Sequence, residues 1–191
     1  MVRCRQFYLF FLLLLLSFKA HSSEYYRFIS AQSHITWSVN VLHLLNLSGE
    51  FPTSGTFVYD DRTPRKSNVE VMIHTKRVKT LFQQVTNVLK SKNFFDVARY
   101  PSAHFISHKI EITNDHAGTI KGMLTIKNIT KPITLSITLK QSAIDKKTKA
   151  HLVSFYAETV LKRADFGITG YPSAVSNDIH LAIQVEAISQ N

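Results

Sequence analysis

Apolar and polar residues alternate with a period of two through most of the chain, and this pattern constrains the fold more than any other feature. Trp37, Val39 and Val41 are separated by single polar residues, and later segments repeat the pattern. Successive side chains of a β-strand point to opposite faces, so this period predicts strands with one buried face. We predict eight or nine strands, over residues 25–29, 35–41, 51–59, 69–74, 103–113, 118–127, 133–142, 151–162 and 179–188.

One segment departs from this period. Leu81, Val85, Val88 and Leu89 recur at i, i+4, i+7 and i+8, which is the spacing of an amphipathic helix. Many antiparallel strands form a sandwich or a barrel, and long sequential strands with short connections favour the barrel. The predicted fold class is therefore all-β: an eight-stranded antiparallel up-and-down barrel with one short helix inserted around residues 80–92. Such a barrel is either filled by its own side chains or holds one small ligand, and the period does not distinguish the two.

The first 22 residues have the pattern of an export signal. Arg3 and Arg5 precede an apolar run over residues 7–16, and Ala20-His21-Ser22 places small residues at positions −3 and −1 of a cleavage site. The run is shorter than the roughly 20 apolar residues that a membrane-spanning helix needs. We therefore expect a signal peptide, residues 1–22, that is cleaved near Ser22, with a non-cleaved amphipathic anchor as the alternative.

Residues 23–191 are expected to form a single domain without internal repeats or linkers. The only cysteine, Cys4, lies in the leader, so the mature domain has no thiol and no disulfide. An exported domain without disulfides fits the bacterial periplasm, and this is the predicted location.

The residues offer no catalytic constellation. The sequence contains neither a GxSxG nucleophile elbow nor a glycine-rich phosphate loop. His104 and His108 have the i, i+4 spacing of metal ligands on a helix, but on a strand they stand roughly 13 Å apart, too far to share an ion. We therefore predict a protein that is not an enzyme and has no metal or cofactor.

The leader carries three basic residues, so its removal lowers the net charge from +10 to +7. A positive balance favours contact with anionic surfaces such as membranes. The basic residues are not interleaved with aromatic ones in the manner of a nucleic-acid platform, so no nucleic-acid partner is predicted.

Four segments resemble, in the same order, motifs of the YceI-like family, the periplasmic polyisoprenoid-binding proteins. They are "VNVLHLLNLSGEF" (39–51), "SKNFFDVARYPSAHF" (91–105), "GMLTIKNITKPITL" (122–135) and "LKRADFGI" (161–168), and the resemblance covers residues 24–188. It implies an elongated, lipocalin-like barrel whose interior accepts the isoprenoid tail of a long lipid, in proteins that are often homodimers. One departure concerns the helix, because "FQQVTNVLKS" (82–91) lacks the family's R-D-x-H-L pattern apart from Leu89. This departure leaves the preferred head group open.

The first functional hypothesis is a non-enzymatic protein that holds the apolar tail of a polyisoprenoid or a similar long-chain amphiphile. Quinone, polyprenol and fatty tails remain open as ligands, and transport, storage and stress protection remain open as roles. The residues predicted to line the tunnel are those on the apolar face of each strand: Trp37, Val39, Val41, Phe57, Val71, Ile73, Phe105, Leu124, Ile126, Leu135 and Phe155.

His43, at the family's histidine position, together with Arg163 and Asp165, is a candidate for the barrel end or for contact with a polar head group. A hydrogen-bonded strap between loops is the alternative role for each. The second functional hypothesis is a filled barrel whose basic surface docks on an anionic membrane or a partner protein. Within the third motif we expect the turn between two strands at Asn128–Pro132, where Thr130, Lys131 and Pro132 form a polar break.

Overall fold

The computed structural model describes residues 23–60 and 67–190, and these residues form strands, one α-helix and short 3-10 turns. The predicted signal peptide lies outside the described residues. The strands are β1 (Glu24–Phe28), β2 (His34–Val41), β3 (Leu45–Tyr59), β4 (Asn68–Ile73), β5 (Lys79–Thr80), β6 (Ala103–Asn114), β7 (Ala117–Ile126), β8 (Ile129–Ile144), β9 (His151–Lys162) and β10 (Asp178–Ser189). The helix α1 spans Gln83–Lys90, inside the predicted range. Among the described residues, no helix is both long enough and apolar enough to cross a membrane.

Eight of the strands close into an antiparallel barrel, which confirms the predicted fold class. The pairings run β2–β3, β3–β4, β4–β6, β6–β7, β7–β8, β8–β9 and β9–β10, and β10 returns to β2. The short β1 pairs with β3 and β10 beyond the start of β2, so β1 and β2 share one position in the barrel wall. Among the described residues, the eight barrel strands each pair on both sides, so the closed wall has none of the unpaired edges of an open sheet.

The alternation of residues along the strands produces an apolar interior. In β2, Ile35, Trp37 and Val39 are buried, whereas the residues between them are partly exposed. Tyr26 and Phe57 stack at 4.5 Å between ring centroids near one end of the barrel, while Phe105 and Leu124 belong to a cluster nearer the other. Burial of apolar area, worth about 25 cal/mol per Å², is what stabilises this wall.

The connections between strands lie at two ends of the barrel. The helix end comprises residues 42–44, 74–102, 127–128 and 163–177. The terminal end comprises the β6–β7 and β8–β9 turns, together with the start of β1 and the end of β10. Because the strands run up and down, all four connections of the helix end meet around one opening of the barrel.

The hairpin of the third motif turns earlier than the sequence predicted, and the expectation of a turn at Asn128–Pro132 was wrong. β7 ends at Ile126 and β8 begins at Ile129, so Lys127 and Asn128 alone connect the two strands. Thr130, Lys131 and Pro132 pair with Thr125, Leu124 and Met123 within the sheet. A loop of two residues suffices because Lys127 adopts a left-handed φ of 57°, and its Nζ donates a hydrogen bond to the Gly167 carbonyl at 3.0 Å.

Candidate ligand cavity

The barrel encloses an apolar cavity of about 300 Å³ towards the helix end. Its wall combines Trp37, Val39 and Val41 of β2 with side chains from α1 and from the connections of that end, and the exposed surface of this wall is entirely apolar. The volume lies at the lower end of the range typical of small-molecule sites, roughly 300–1,000 Å³. Such a cavity suits a hydrocarbon segment, and the exposed surface that the described residues contribute to it offers no partner to a polar group.

Two further hollows continue this first cavity along the barrel. A second cavity of about 160 Å³ shares Ile35, Ile73, Leu124 and Leu181 with the first. A third hollow, of about 710 Å³, shares residues such as Phe57 and Phe155 with the second and reaches the terminal end. The three volumes therefore lie in series, as an elongated ligand would require.

The third hollow differs from the other two because polar residues line part of it. Glu24, Asp115, His116 and His151 contribute to its wall. His151 Nδ1 lies 3.0 Å from a carboxylate oxygen of Glu24, which also accepts a hydrogen bond from the Tyr26 hydroxyl. Burial and the neighbouring Glu24 raise the pKa of Tyr26 above its ordinary value, so this hydroxyl remains a hydrogen-bond donor.

The residues that the sequence predicted for the tunnel wall all line the first or the second cavity. The first contains Trp37, Val39, Val41, Ile73, Leu124 and Ile126, and the second contains Phe57, Val71, Ile73, Phe105, Leu124, Leu135 and Phe155. Contact between these residues and a ligand remains a prediction.

Arg163 lies beside the first cavity and is bound to backbone oxygens. Its Nε donates to the carbonyl of Ser176 at 2.9 Å, and Nη2 donates to that of Val175 at 2.9 Å. Nη1 donates to the carbonyls of Ile168 and Gly170 at 2.9 and 2.8 Å. Burial lowers the pKa of Arg163 from its ordinary value, and among the described residues no carboxylate forms an ion pair with it.

These contacts make Arg163 a strap across the β9–β10 connection, which matches the alternative role that the sequence left open. Asp165 is exposed on the same 3-10 turn, Arg163–Phe166, and His43 is exposed in the β2–β3 turn. Neither residue is among those that line the three volumes. The structure thus brings only one of the three head-group candidates to the cavity, and the head-group role of His43 and Asp165 remains a prediction.

The β2–β3 turn is fastened to the β9–β10 connection. Leu42 and His43 adopt left-handed φ angles of 52° and 57°. The Leu42 N–H donates to the Ala174 carbonyl at 2.7 Å, and Val41 forms a bridge with Val175. Two connections that are far apart in sequence therefore form one side of the cavity.

Sequence reasoning missed the aromatic residues that the connections contribute to this cavity. Phe94, Phe95, Phe166 and Tyr171 line it, although none of them belongs to a strand. Phe95 packs edge-on against Phe51 at 5.1 Å between centroids. The sequence signal for two of them was the adjacent pair of phenylalanines in the "FFD" of the second motif. In the structure Asp96 follows them with a left-handed φ of 47°, which turns the chain after the two rings.

Trp37 is the only tryptophan of the chain, and its ring depends on a glycine opposite. Gly49 pairs with Trp37 across β2 and β3, and a Cβ at position 49 would lie 2.7 Å from the ring carbon Cζ2. The Trp37 Nε1 is buried and, in the described part of the chain, has no hydrogen-bond partner. The fluorescence emission of this indole should therefore respond to changes in the cavity that Trp37 lines.

A closed eight-stranded antiparallel barrel with a continuous apolar interior defines a lipocalin-like binding barrel. The family sequence model of the YceI-like domain matches residues 26–187 of this chain. The chain therefore belongs to the YceI-like family.

Individual proteins agree with this assignment. Protein YceI of Salmonella arizonae is 34% identical over 136 residues, which cover 71% of this chain and 70% of that protein. The crystal structure of BcnA from Burkholderia cenocepacia has a TM-score of 0.74 at 18% identity and covers 83% of this chain and 98% of its own. A polyisoprenoid-binding domain from Saccharophagus degradans has a TM-score of 0.65 at 11% identity and covers 86% of this chain and 98% of its own. At these identities the two structures show the shared fold alone.

Proposed function

We propose that this protein binds the apolar tail of a polyisoprenoid or a similar long-chain amphiphile inside its barrel and is not an enzyme. The observation that carries the proposal is the pair of adjoining cavities with apolar walls. Burial of about 300 Å² of tail would contribute roughly 7 kcal/mol before the costs of association. The name of the Saccharophagus degradans domain, a polyisoprenoid-binding domain, supports the same class of ligand.

The proposed ligand is recognised by its tail more than by its head group. The described residues give the first cavity a wall whose exposed surface is apolar. Arg163 beside it donates four hydrogen bonds to backbone carbonyl oxygens. A polar head would be desolvated without a partner in this cavity, at a cost of several kcal/mol. The head group therefore remains at a barrel end, and affinity rises with the length of the tail.

The leader pattern of residues 1–22 and the membership of the YceI-like family support export to the periplasm. There the barrel would keep a long apolar tail out of water, for transport, storage or protection. Lipid extraction from the mature protein into organic solvent, followed by mass spectrometry, tests the ligand class. Absence of stoichiometric lipid, together with no binding of added prenyl lipids, would favour the second hypothesis of a filled barrel that docks on other surfaces.

A pair of neighbouring substitutions tests the site itself. Ile73 is shared by the first two cavities, and Met72 precedes it in β4 but is 40% exposed on the outer face. Ile73→Phe adds bulk where the cavities meet, so we expect about tenfold weaker binding of a long prenyl probe, equivalent to about 1.4 kcal/mol. Met72→Phe, the matched control, should bind like the wild-type protein.

Binding is measured by titration of the mature protein with polyprenols of increasing length while the emission of Trp37 is recorded. A short prenyl alcohol that fills only part of the first cavity should lose less affinity in Ile73→Phe than the long probe does. If Ile73→Phe folds poorly by circular dichroism, Leu181→Phe at another shared position replaces it. Equal affinity of the wild-type protein and the folded cavity variant for the long probe contradicts the proposed site.

A further inference from the structure

Large apolar side chains are exposed together at the helix end of the barrel. Leu44 and Leu81 are 86% and 87% exposed, values at which almost none of the side chain contacts the protein. We call the full set the apolar rim: Leu42, Leu44, Leu45, Leu81, Phe82 and Tyr171. Single exposed leucines are ordinary, but a group of this kind marks an interaction surface.

Backbone contacts hold the segments of the apolar rim next to one another. Thr80 pairs with Gly49 of β3, so the chain leaves β5 towards the part of β3 that begins at Leu45. On the other side, the Leu42 N–H bonds to the Ala174 carbonyl, and the Ala174 N–H bonds to the Tyr171 carbonyl. The apolar rim is therefore assembled from three connections and the first residue of β3, at one opening of the barrel.

The apolar rim continues into the wall of the first cavity. Tyr171 belongs to both, and Val41 precedes the exposed turn and lines the cavity. The chain behind Phe82 enters α1, where Val85 and Val88 also line the cavity. The exposed apolar surface and the interior thus form one continuous path.

The same end of the barrel carries an excess of positive charge. Across its four connections, all within the described part of the chain, seven basic side chains are exposed or partly exposed, whereas of the two acidic residues Asp165 is exposed and Asp96, 4.0 Å from Arg99, is buried. The basic residues are Lys76, Arg77, Lys79, Lys90, Lys92, Arg99 and Lys127. Glu50 opposite Lys79 and the Lys162–Asp178 pair flank this end without changing the sign of its charge.

We propose that the helix end docks on an anionic phospholipid bilayer, with the apolar rim inserted at the level of the head groups and the basic residues against the phosphates. Interfacial binding scales with buried apolar area plus attraction to anionic lipids, about 1 kcal/mol for each Lys or Arg near the surface. Two copies of this face would repel each other, which favours a bilayer over a second copy. Membrane docking itself does not depend on the proposed function. Only the suggested role of docking, the passage of a lipid tail between the bilayer and the cavity, rests on it.

Co-sedimentation of the mature protein with phosphatidylcholine vesicles, with and without phosphatidylglycerol, tests the inference. No prenyl lipid is added, so the outcome is independent of ligand binding measured in solution. We expect binding to the anionic vesicles that weakens as salt is raised. Leu44→Glu/Leu81→Glu should reduce it at least tenfold, whereas Ile144→Glu, at a 60% exposed position of the terminal end, should leave it unchanged.

A charge-reversal pair separates the electrostatic part. Lys79→Glu/Lys92→Glu should weaken binding to anionic vesicles severalfold, while Lys146→Glu/Lys147→Glu at the terminal end should have a much smaller effect. Equal binding to neutral and anionic vesicles, no vesicle binding, or equal loss in the matched controls overturns the inference. It is also overturned if the rim variants turn a dimer into a monomer in light scattering but still bind vesicles, because a second copy then occupies this face.

Discussion

Arg163 is a buried cation whose hydrogen-bond partners are carbonyl oxygens of the connection that follows it. The fork of a guanidinium reaches four such oxygens, those of Ser176, Ile168, Gly170 and Val175. Lysine, a point charge on a flexible stem, cannot reproduce this geometry. We expect Arg163→Met and Arg163→Lys each to lower the free energy of unfolding by about 3 kcal/mol, because several buried carbonyls lose their partner.

Urea denaturation followed by circular dichroism measures this loss. Arg99→Lys, at an exposed position of the same end, should change stability by less than about 0.5 kcal/mol. If Arg163→Lys is as stable as Arg99→Lys, the hydrogen bonds from Arg163 to the carbonyls do not stabilise the β9–β10 connection. A role of Arg163 in ligand binding would then be the alternative.

We expect His74 to make the stability of the fold depend on pH. Burial, then the nearby Arg77 and His104, lower the pKa of His74 below its ordinary value of 6.5, and its Nε2 lies 3.0 Å from the Ser54 hydroxyl. The folded protein therefore binds fewer protons at this site than the unfolded chain, so the stability it contributes is present above pH 6.5 and is lost as the pH falls below it. His74→Gln should show a smaller loss of stability than wild type between about pH 7.5 and 5.5.

The measurement is urea denaturation of both proteins at the two pH values. The exposed His108→Gln is the control and should retain the wild-type dependence. Identical pH dependence of wild type and His74→Gln would show that the protonation of His74 is not coupled to folding.

At the scale of elements, β5 and β2 approach β3 closely at a glycine. A Cβ at position 49 would lie 2.7 Å from Trp37 Cζ2 and 2.9 Å from Thr80 Cγ2, and real Cβ atoms are not found this close to other atoms. We expect Gly49→Ala to lower the free energy of unfolding by about 2 kcal/mol, within the range of overpacking. Because Trp37 is the only tryptophan, its emission maximum should shift at the same time.

The neighbouring exposed position provides the control for this glycine. Ser48→Ala, on the same strand, should preserve both stability and emission. A stable Gly49→Ala with unchanged Trp37 emission would show that β5 can move away from β3 without cost.

The strands and their wall residues could be predicted from the sequence because burial on one face of a strand imposes a period of two. Thr130 and Pro132 were misplaced in a turn, since their local preference for turns was overridden by pairing with Thr125 and Met123. Phe94 and Tyr171 had no period to reveal them, because connections fold by contact with the finished barrel. Local pattern therefore predicts the wall of the site, while its end depends on tertiary contacts.

The molecule as a whole has two unlike ends joined by one apolar interior. The helix end combines the apolar rim with basic residues, whereas the third hollow near the terminal end contains the Glu24–His151 pair at 3.0 Å. An amphiphile whose tail enters through the helix end meets apolar walls first and polar groups last. A tail of this kind would match the apolar walls of the first two cavities and not the polar part of the third hollow.

Ligand binding should stabilise the whole barrel, because a tail that binds the folded state alone shifts unfolding by mass action. A long polyprenol at about 100 times its dissociation constant should add about 2.7 kcal/mol, which raises the Tm of a domain of this size by roughly 5–10 °C. Differential scanning calorimetry of the mature protein measures the shift. At the same polyprenol concentration Met72→Phe should show the full increase, whereas Ile73→Phe, which binds about tenfold more weakly because it narrows the interior, should show about half of it, roughly 1.4 kcal/mol. An equal increase in Tm in both variants would show that the stabilising lipid binds to the outer surface of the barrel and not in its interior.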